Sequence, residues 1–224
     1  MNLYVTKLRA IEDARLEEII RSFEPPKQER IMRYVKYEDR LRGTVSYSMT
    51  RGVVFRELGI RPGDAIFSAN DFGKPRLENC DGFHFNVSHS GEYVICLTDK
   101  SPVGADIQLM KPIKYIEIAR RFFTKYETDF ITDGDPAERI NKFYMLWALK
   151  ESYVKASGMG LSVPLNSFDF TVDMENETAC LRDCEERPPR FKLISSFDGY
   201  ALALCHMNLT EVNVRMVDQD SLYF

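Results

Sequence analysis

The residues best suited to chemistry lie in one short stretch, Trp147-Ala148-Leu149-Lys150-Glu151-Ser152-Tyr153-Val154-Lys155. Upstream, Phe143-Tyr144-Met145-Leu146 continue an apolar pattern at helical spacing. The pattern wraps nearly the whole circumference, which predicts a helix buried on most sides. Glu151 and Lys155 are one turn apart and share a narrow face, while Lys150 sits on another flank among apolar neighbours. Charges on such a helix are costly unless each has a partner. A carboxylate and ammonium groups aimed at a metal ion and a phosphate would meet that need. An internal Glu–Lys pair would meet it too, and the helix alone does not choose.

A second acid stands in an unusual place. Val103-Gly104-Ala105-Asp106-Ile107-Gln108 reads as a strand, with Asp106 and Gln108 on one face. An aspartate in an apolar strand needs a hydrogen-bond network or a cation. Ser88-His89-Ser90-Gly91-Glu92 reads as a hairpin loop between the strands Phe83–Val87 and Tyr93–Leu97. It is either a plain turn or a phosphate cradle of hydroxyls, backbone N–H groups and imidazolium. Phe72-Gly73-Lys74-Pro75 is a tight turn that would hold a lysine in place. Lys27, Arg30 and Arg33 form a basic stripe after Pro25-Pro26, read as a solvated helix face or an anion site.

The elements that position these residues follow from periodicity. Asn2–Leu8 reads as a strand and Ile11–Phe23 as a helix stopped by the two prolines. Arg40–Leu58 is a long helix ended by Gly59. Tyr115–Phe130 is one amphipathic helix, and the Trp147 helix ends near Gly158 or Gly160. Residues 173–190 read as an exposed connection, and Phe191–Leu193 with Tyr200–Cys205 as a last hairpin. Phe85-x-Val87 and Phe191-x-Leu193 each lie downstream of a long helix ending in glycine. That echo predicts an α+β (α/β) fold of two similar halves, residues 1–105 and 106–224, packed as an internal pseudo-dimer. Each half would be a small, mostly antiparallel sheet packed on a long helix, with a ligand cleft between the halves.

Bulk composition narrows the function classes. The chain has 224 residues, 44% hydrophobic, with a formal net charge of −4. A core is affordable, and a general nucleic-acid binder, normally basic, is disfavoured. Cysteines at 80, 96, 180, 184 and 205 form no C-x-x-C pair, which suits a reduced, cytoplasmic protein. No apolar run approaches a membrane span, and clustered Cys/His zinc ligands are missing.

Together, Phe72-Gly73-Lys74-Pro75, Phe85-Asn86-Val87-Ser88-His89-Ser90, Val103-Gly104-Ala105-Asp106-Ile107 and Trp147-x-x-Lys150-Glu151-x-x-x-Lys155 resemble the Sfp-type 4′-phosphopantetheinyl transferases. Lys27, Arg30 and Gly160-Leu161-Ser162-Val163-Pro164-Leu165 also fit, so the resemblance runs from about residue 25 to about 205. It implies an active site between two α/β halves. It also implies transfer of phosphopantetheine from coenzyme A to a serine of an apo acyl or peptidyl carrier protein, releasing 3′,5′-ADP, with Mg²⁺. Asp106, Gln108 and Glu151 would hold the metal, and Glu151 would help remove the serine proton. Lys150 and Lys155 would neutralise the pyrophosphate. By the same resemblance, Lys27, Arg30, Ser88 and His89 would grip the 3′-phosphate, and Lys74 would contact the nucleotide. Gln108 departs from the pattern, since many members place a second acid there; metal binding should then depend strongly on coenzyme A. A helix from Ile113 would help dock the carrier, and a monomer already supplies both walls of the cleft. A non-catalytic coenzyme A or nucleotide-binding homologue, a Mg²⁺ nuclease and a purely structural pseudo-dimer are the rival readings.

Overall fold

The computed structural model describes residues 1–182, 188–208 and 211–223; Cys184 lies outside them. The first part of the chain runs β1 (Asn2–Lys7), α1 (Asp13–Arg21), α2 (Pro25–Met32), α3 (Tyr37–Leu58), β2 (Phe67–Ala69), β3 (Pro75–Leu77), β4 (His84–Ser90) and β5 (Tyr93–Asp99). The second runs β6 (Val103–Leu109), α4 (Tyr115–Phe122), α5 (Lys125–Thr132), α6 (Pro136–Ser157), β7 (Phe170–Asp173), β8 (Thr178–Leu181), β9 (Arg190–Leu193), β10 (Tyr200–His206) and β11 (Asn213–Met216).

The two parts repeat one design. In the first, β1 pairs antiparallel with β5, and β5 with β4. In the second, β6 pairs antiparallel with β10, and β10 with β9. The long helices α3 and α6 are each 22 residues and end on a left-handed glycine, Gly59 (φ 72°) and Gly158 (φ 71°). Glycine adopts that conformation without a Cβ penalty and frees the chain to turn back to its sheet. The registers correspond: Phe85 faces Thr98 as Phe191 faces Cys205, so Tyr4 of β1 occupies the position of Asp106 in β6.

Each sheet is buried on both faces, so its central strands read as unbroken apolar runs. Leu3, Val5, Ile95 and Leu97 of the first sheet pack against Val103, Ala105, Ile107, Leu202 and Leu204 of the second. The opposite faces cover the helices, with Tyr4, Val94 and Cys96 in the core of α3 and Ala203 and Cys205 in that of α6. The period-two alternation of strands divides each run between the two cores.

Several elements differ from sequence expectation. Tyr115–Phe130 is two helices, because Thr124 and Glu127 form a capping box that starts α5 afresh. Ser88-His89-Ser90 is strand; the turn is Gly91-Glu92. Within the stretch read as an exposed connection, β8 pairs with β7 and β9. The boundary expected at 105/106 falls inside β6, and β11 returns to pair in parallel with β1. That return covers a main-chain edge otherwise open to pairing with another chain. No helix among the described residues is long and apolar enough to cross a membrane.

Candidate active site

The seam between the halves is an edge-to-side-chain junction. β6 is the edge strand of its sheet, and its outward N–H groups need acceptors. Asn86, Ser88 and Ser90, alternate residues of β4, supply them. Asn86 Oδ1 accepts from Ala105 N (2.8 Å), Ser88 Oγ from Ile107 N (3.3 Å) and Ser90 Oγ from Leu109 N (2.9 Å). The Asn-x-Ser-x-Ser alternation therefore joins the two halves in register, which is why these residues stay extended.

Gly104 brings α6 onto β6. A Cβ there would lie 1.9 Å from Ser152 O and 2.5 Å from Ala156 N. Only a bare backbone permits that approach, and it places the side chain two residues on, Asp106, against the Glu151–Lys155 face of the helix. Asp106 is 2% exposed. Its Oδ1 accepts from Lys155 Nζ (2.5 Å) and Ser88 Oγ (2.9 Å), and its Oδ2 from Gln108 Nε2 (2.8 Å). Lys155 Nζ also donates to Ser88 Oγ (3.1 Å) and Ala105 O (3.3 Å). Burial raises the pKa of Glu151, the Asp106 charge raises it further, and Lys155 opposes both. The two carboxylates thus feel each other across the seam with a single ammonium against them.

Cations approach from the first half. The pKa of His89 is lowered by desolvation, then by the charges of Arg42 and Lys155, and Asp106 pulls it the other way. Arg42 donates to Gly91 O (3.3 Å) and Asp39 Oδ1 (2.7 Å), which holds it beside the Gly91 turn. Sequence reasoning passed over Arg42 because it lies inside a long helix with no local motif. Lys27 Nζ lies 4.4 Å from the centre of the Tyr47 ring, and its pKa is lowered by burial and then by Arg30. Among the contacts of the described residues, Lys27 and Arg30 form neither a hydrogen bond nor an ion pair with Ser88 or His89; Arg30 is exposed.

Two expected residues point elsewhere. Lys150 does not face Asp106. Its Nζ is fully buried, 2.8 Å from Glu127 Oε2, and donates to Leu165 O (2.7 Å) and Phe168 O (2.6 Å). Lys150 precedes Glu151 by one residue, so the helix turns it about 100° away into the core of the second half. Burial pushes Glu127 up and Lys150 down, and their mutual attraction opposes both shifts. Lys74 Nζ donates to Val103 O (3.1 Å) and Ala156 O (3.0 Å), tying the β2–β3 hairpin to β6 and α6. Burial brings its pKa down to about 8.

Comparison with known proteins places the chain in one family. The family model described as the 4′-phosphopantetheinyl transferase superfamily matches residues 102–205, and that of the 4′-phosphopantetheinyl transferase N-terminal region matches residues 11–101. The 4′-phosphopantetheinyl transferase Sfp of Bacillus subtilis (strain 168) is 34% identical over 216 residues, 96% of each chain. The 4′-phosphopantetheinyl transferase ffp of Bacillus subtilis is 35% identical over 179 residues, 80% of each chain. The L-aminoadipate-semialdehyde dehydrogenase-phosphopantetheinyl transferase of Mus musculus is 32% identical over 190 residues, 75% of this chain and 61% of that protein.

Proposed function

The chain belongs to the 4′-phosphopantetheinyl transferase superfamily and transfers 4′-phosphopantetheine to a carrier protein; from this we propose that coenzyme A is the donor, Mg²⁺ the metal, and the seam between β4, β6 and α6 the reaction centre. One observation carries the reading: Lys155, one helical turn beyond Glu151, binds the buried carboxylate of Asp106 at 2.5 Å, so the Glu151–Lys155 face of α6 meets β6 at that acid. Two crowded carboxylates with a single ammonium suit a divalent cation. Mg²⁺ is commonly held by one or two carboxylates completed by substrate phosphates and water. When bound, the metal supplies charge neutralisation at the pyrophosphate.

Asp106 and Glu151 would hold it. Gln108, whose amide nitrogen donates to Asp106 Oδ2, reaches the metal or a ligated water only by turning its amide over. It brings no charge, so metal affinity should depend on coenzyme A. Phosphoryl transfer asks mainly for positioning and charge stabilisation. Glu151 accepts the proton of the carrier serine, directly or through water, as that oxygen attacks the phosphorus bearing pantetheine. The bond to the leaving 3′,5′-ADP breaks, and Lys155 stabilises its charge. His89, Arg42, Lys27 and Arg30 face the 3′-phosphate. Ser88 and Lys74 act as positioning residues, the first on Asp106 and Lys155, the second on the β2–β3 hairpin. Residues 1–105 carry the nucleotide contacts and 106–224 the metal and catalytic groups, so one chain works as a monomer, in the cytoplasm.

Incubation with a panel of apo acyl and peptidyl carrier proteins, coenzyme A and Mg²⁺, read by intact mass, tests the reading. One carrier should gain a single phosphopantetheine, and chelation of the divalent ion should stop it. No gain on any carrier, or a gain indifferent to chelation, contradicts it.

A further inference from the structure

The internal repeat exposes an unmatched charge outside the Asp106–Glu151 seam. Arg51 of α3 and Lys150 of α6 each stand eight residues before the left-handed glycine that ends their helix. Both are buried and both lie against aromatic rings. Lys150 Nζ is 4.4 Å from the centre of the Phe168 ring; the Arg51 guanidinium is 5.4 Å from that of Phe23 and 5.8 Å from that of Tyr47. They differ in counter-charge. Lys150 has the buried carboxylate of Glu127 at 2.8 Å. Arg51, 8% exposed, makes no ion pair or hydrogen bond among the described residues, and its buried Nε has no partner. A guanidinium taken from water without an acceptor is costly, and ring faces compensate only part of that.

Beside Arg51 the first half has a cavity of about 300 Å³. Ser48 offers a hydroxyl, while Ser22 donates its own to Ile19 O (2.7 Å) and Ile19, Phe23 and Leu222 supply apolar wall. At the rim, Arg15 is paired with Glu18 and Arg21 with Glu17, so among the described residues Arg51 is the cavity's cation without a carboxylate partner. We propose that this cavity binds a small monocarboxylate with an apolar body, its carboxylate taken by the Arg51 guanidinium as Glu127 is taken by Lys150. The planar fork of arginine matches a carboxylate with two parallel hydrogen bonds. The apolar wall selects the body, and Arg51 shares the Tyr47 ring with Lys27.

Calorimetric titration of the whole protein with 4-bromobenzoate tests this, with the uncharged 4-bromobenzamide as control. The carboxylate should bind saturably at one site and the amide should not. Arg51→Met should weaken binding about tenfold or more, the loss of a charged hydrogen-bonded pair. Ser48→Leu keeps the guanidinium but fills the cavity. It should abolish binding, which gives an independent reading if loss of Arg51 impairs folding. Saturating coenzyme A should leave the affinity unchanged, and both variants should keep transferase activity. Absence of saturable binding, wild-type affinity in both variants, or displacement of the probe by coenzyme A would overturn the proposal.

Discussion

The two long helices and their sheets are the same object built twice, with different side chains at matching positions. On the second copy, Asp106, Glu151 and Lys155 meet at the edge of β6. On the first, the matching positions hold Tyr4, Gly52 and Arg56, with the Arg56 guanidinium 5.9 Å from the centre of the Tyr4 ring. The edges differ too. β6 faces the hydroxyl and amide side chains of β4, whereas β1 is sealed by main-chain pairing with β11. Where the edge is satisfied by another strand, a cavity of about 200 Å³ still lies beside Tyr4, Gly52 and Arg56, but no acid lines it. The scaffold therefore does not set the charge at these positions; the residues at three matching places do, two acids and a lysine in one half and no acid in the other.

The largest effect that could break this contrast is chemical. Glu151→Gln should lower turnover by about 10²–10⁴-fold, the usual worth of a positioned general base, with an unchanged circular dichroism spectrum. Near-normal turnover would remove Glu151 from its role. Next comes the contrast between the buried cations. Lys150→Met leaves Glu127 buried and alone and should cost about 3–5 kcal/mol in denaturant unfolding. Arg51→Met strands no carboxylate and should cost clearly less. Equal losses would mean that Glu127 is not what distinguishes them.

A smaller effect separates Gly104 from Asn2, its counterpart on β1. Gly104→Ala should cost about 1–3 kcal/mol from overpacking against Ser152 and Ala156 and should lower turnover by shifting α6. Asn2→Ala should lose its hydrogen bonds to Glu57 Oε1 (2.9 Å) and from Arg215 Nε (3.4 Å) and leave turnover alone. The smallest effect is a titration in metal-free protein. With its folded pKa raised, Glu151 is penalised in the native state as pH rises above the ordinary glutamate range. Carbon-detected NMR should give a midpoint above 4.5, the ordinary value for Glu151, and Asp106→Asn should move it down. Glu151→Gln should slightly raise the melting temperature at neutral pH and not in acid, where both states are protonated.

Much of this was legible in the residues. The helices ending at Gly59 and Gly158 follow from apolar spacing and left-handed glycine caps, and the Phe85 and Phe191 echo marks equivalent strands. Asp106 stood out because an acid in an apolar strand requires partners. What stayed hidden depended on contacts between distant segments. A greasy helix does not reveal which flank meets a buried carboxylate, and nothing local marks Glu127, part of a capping box, as that buried acid. Ser88 and Ser90 share the composition of a turn, and only the bare edge of β6 explains why they extend. The return of β11 to β1 leaves no local pattern, because a strand's partner is set by which edge remains open.

The most direct test of the central claim is the location of Mn²⁺, a scatterer that substitutes for Mg²⁺, by anomalous diffraction from the protein crystallised with coenzyme A. The account predicts one peak bridging the carboxylates of Asp106 and Glu151 at roughly 2 Å, with none between Tyr4 and Arg56. A peak bound away from either acid, or equally strong occupancy in the first half, would contradict it.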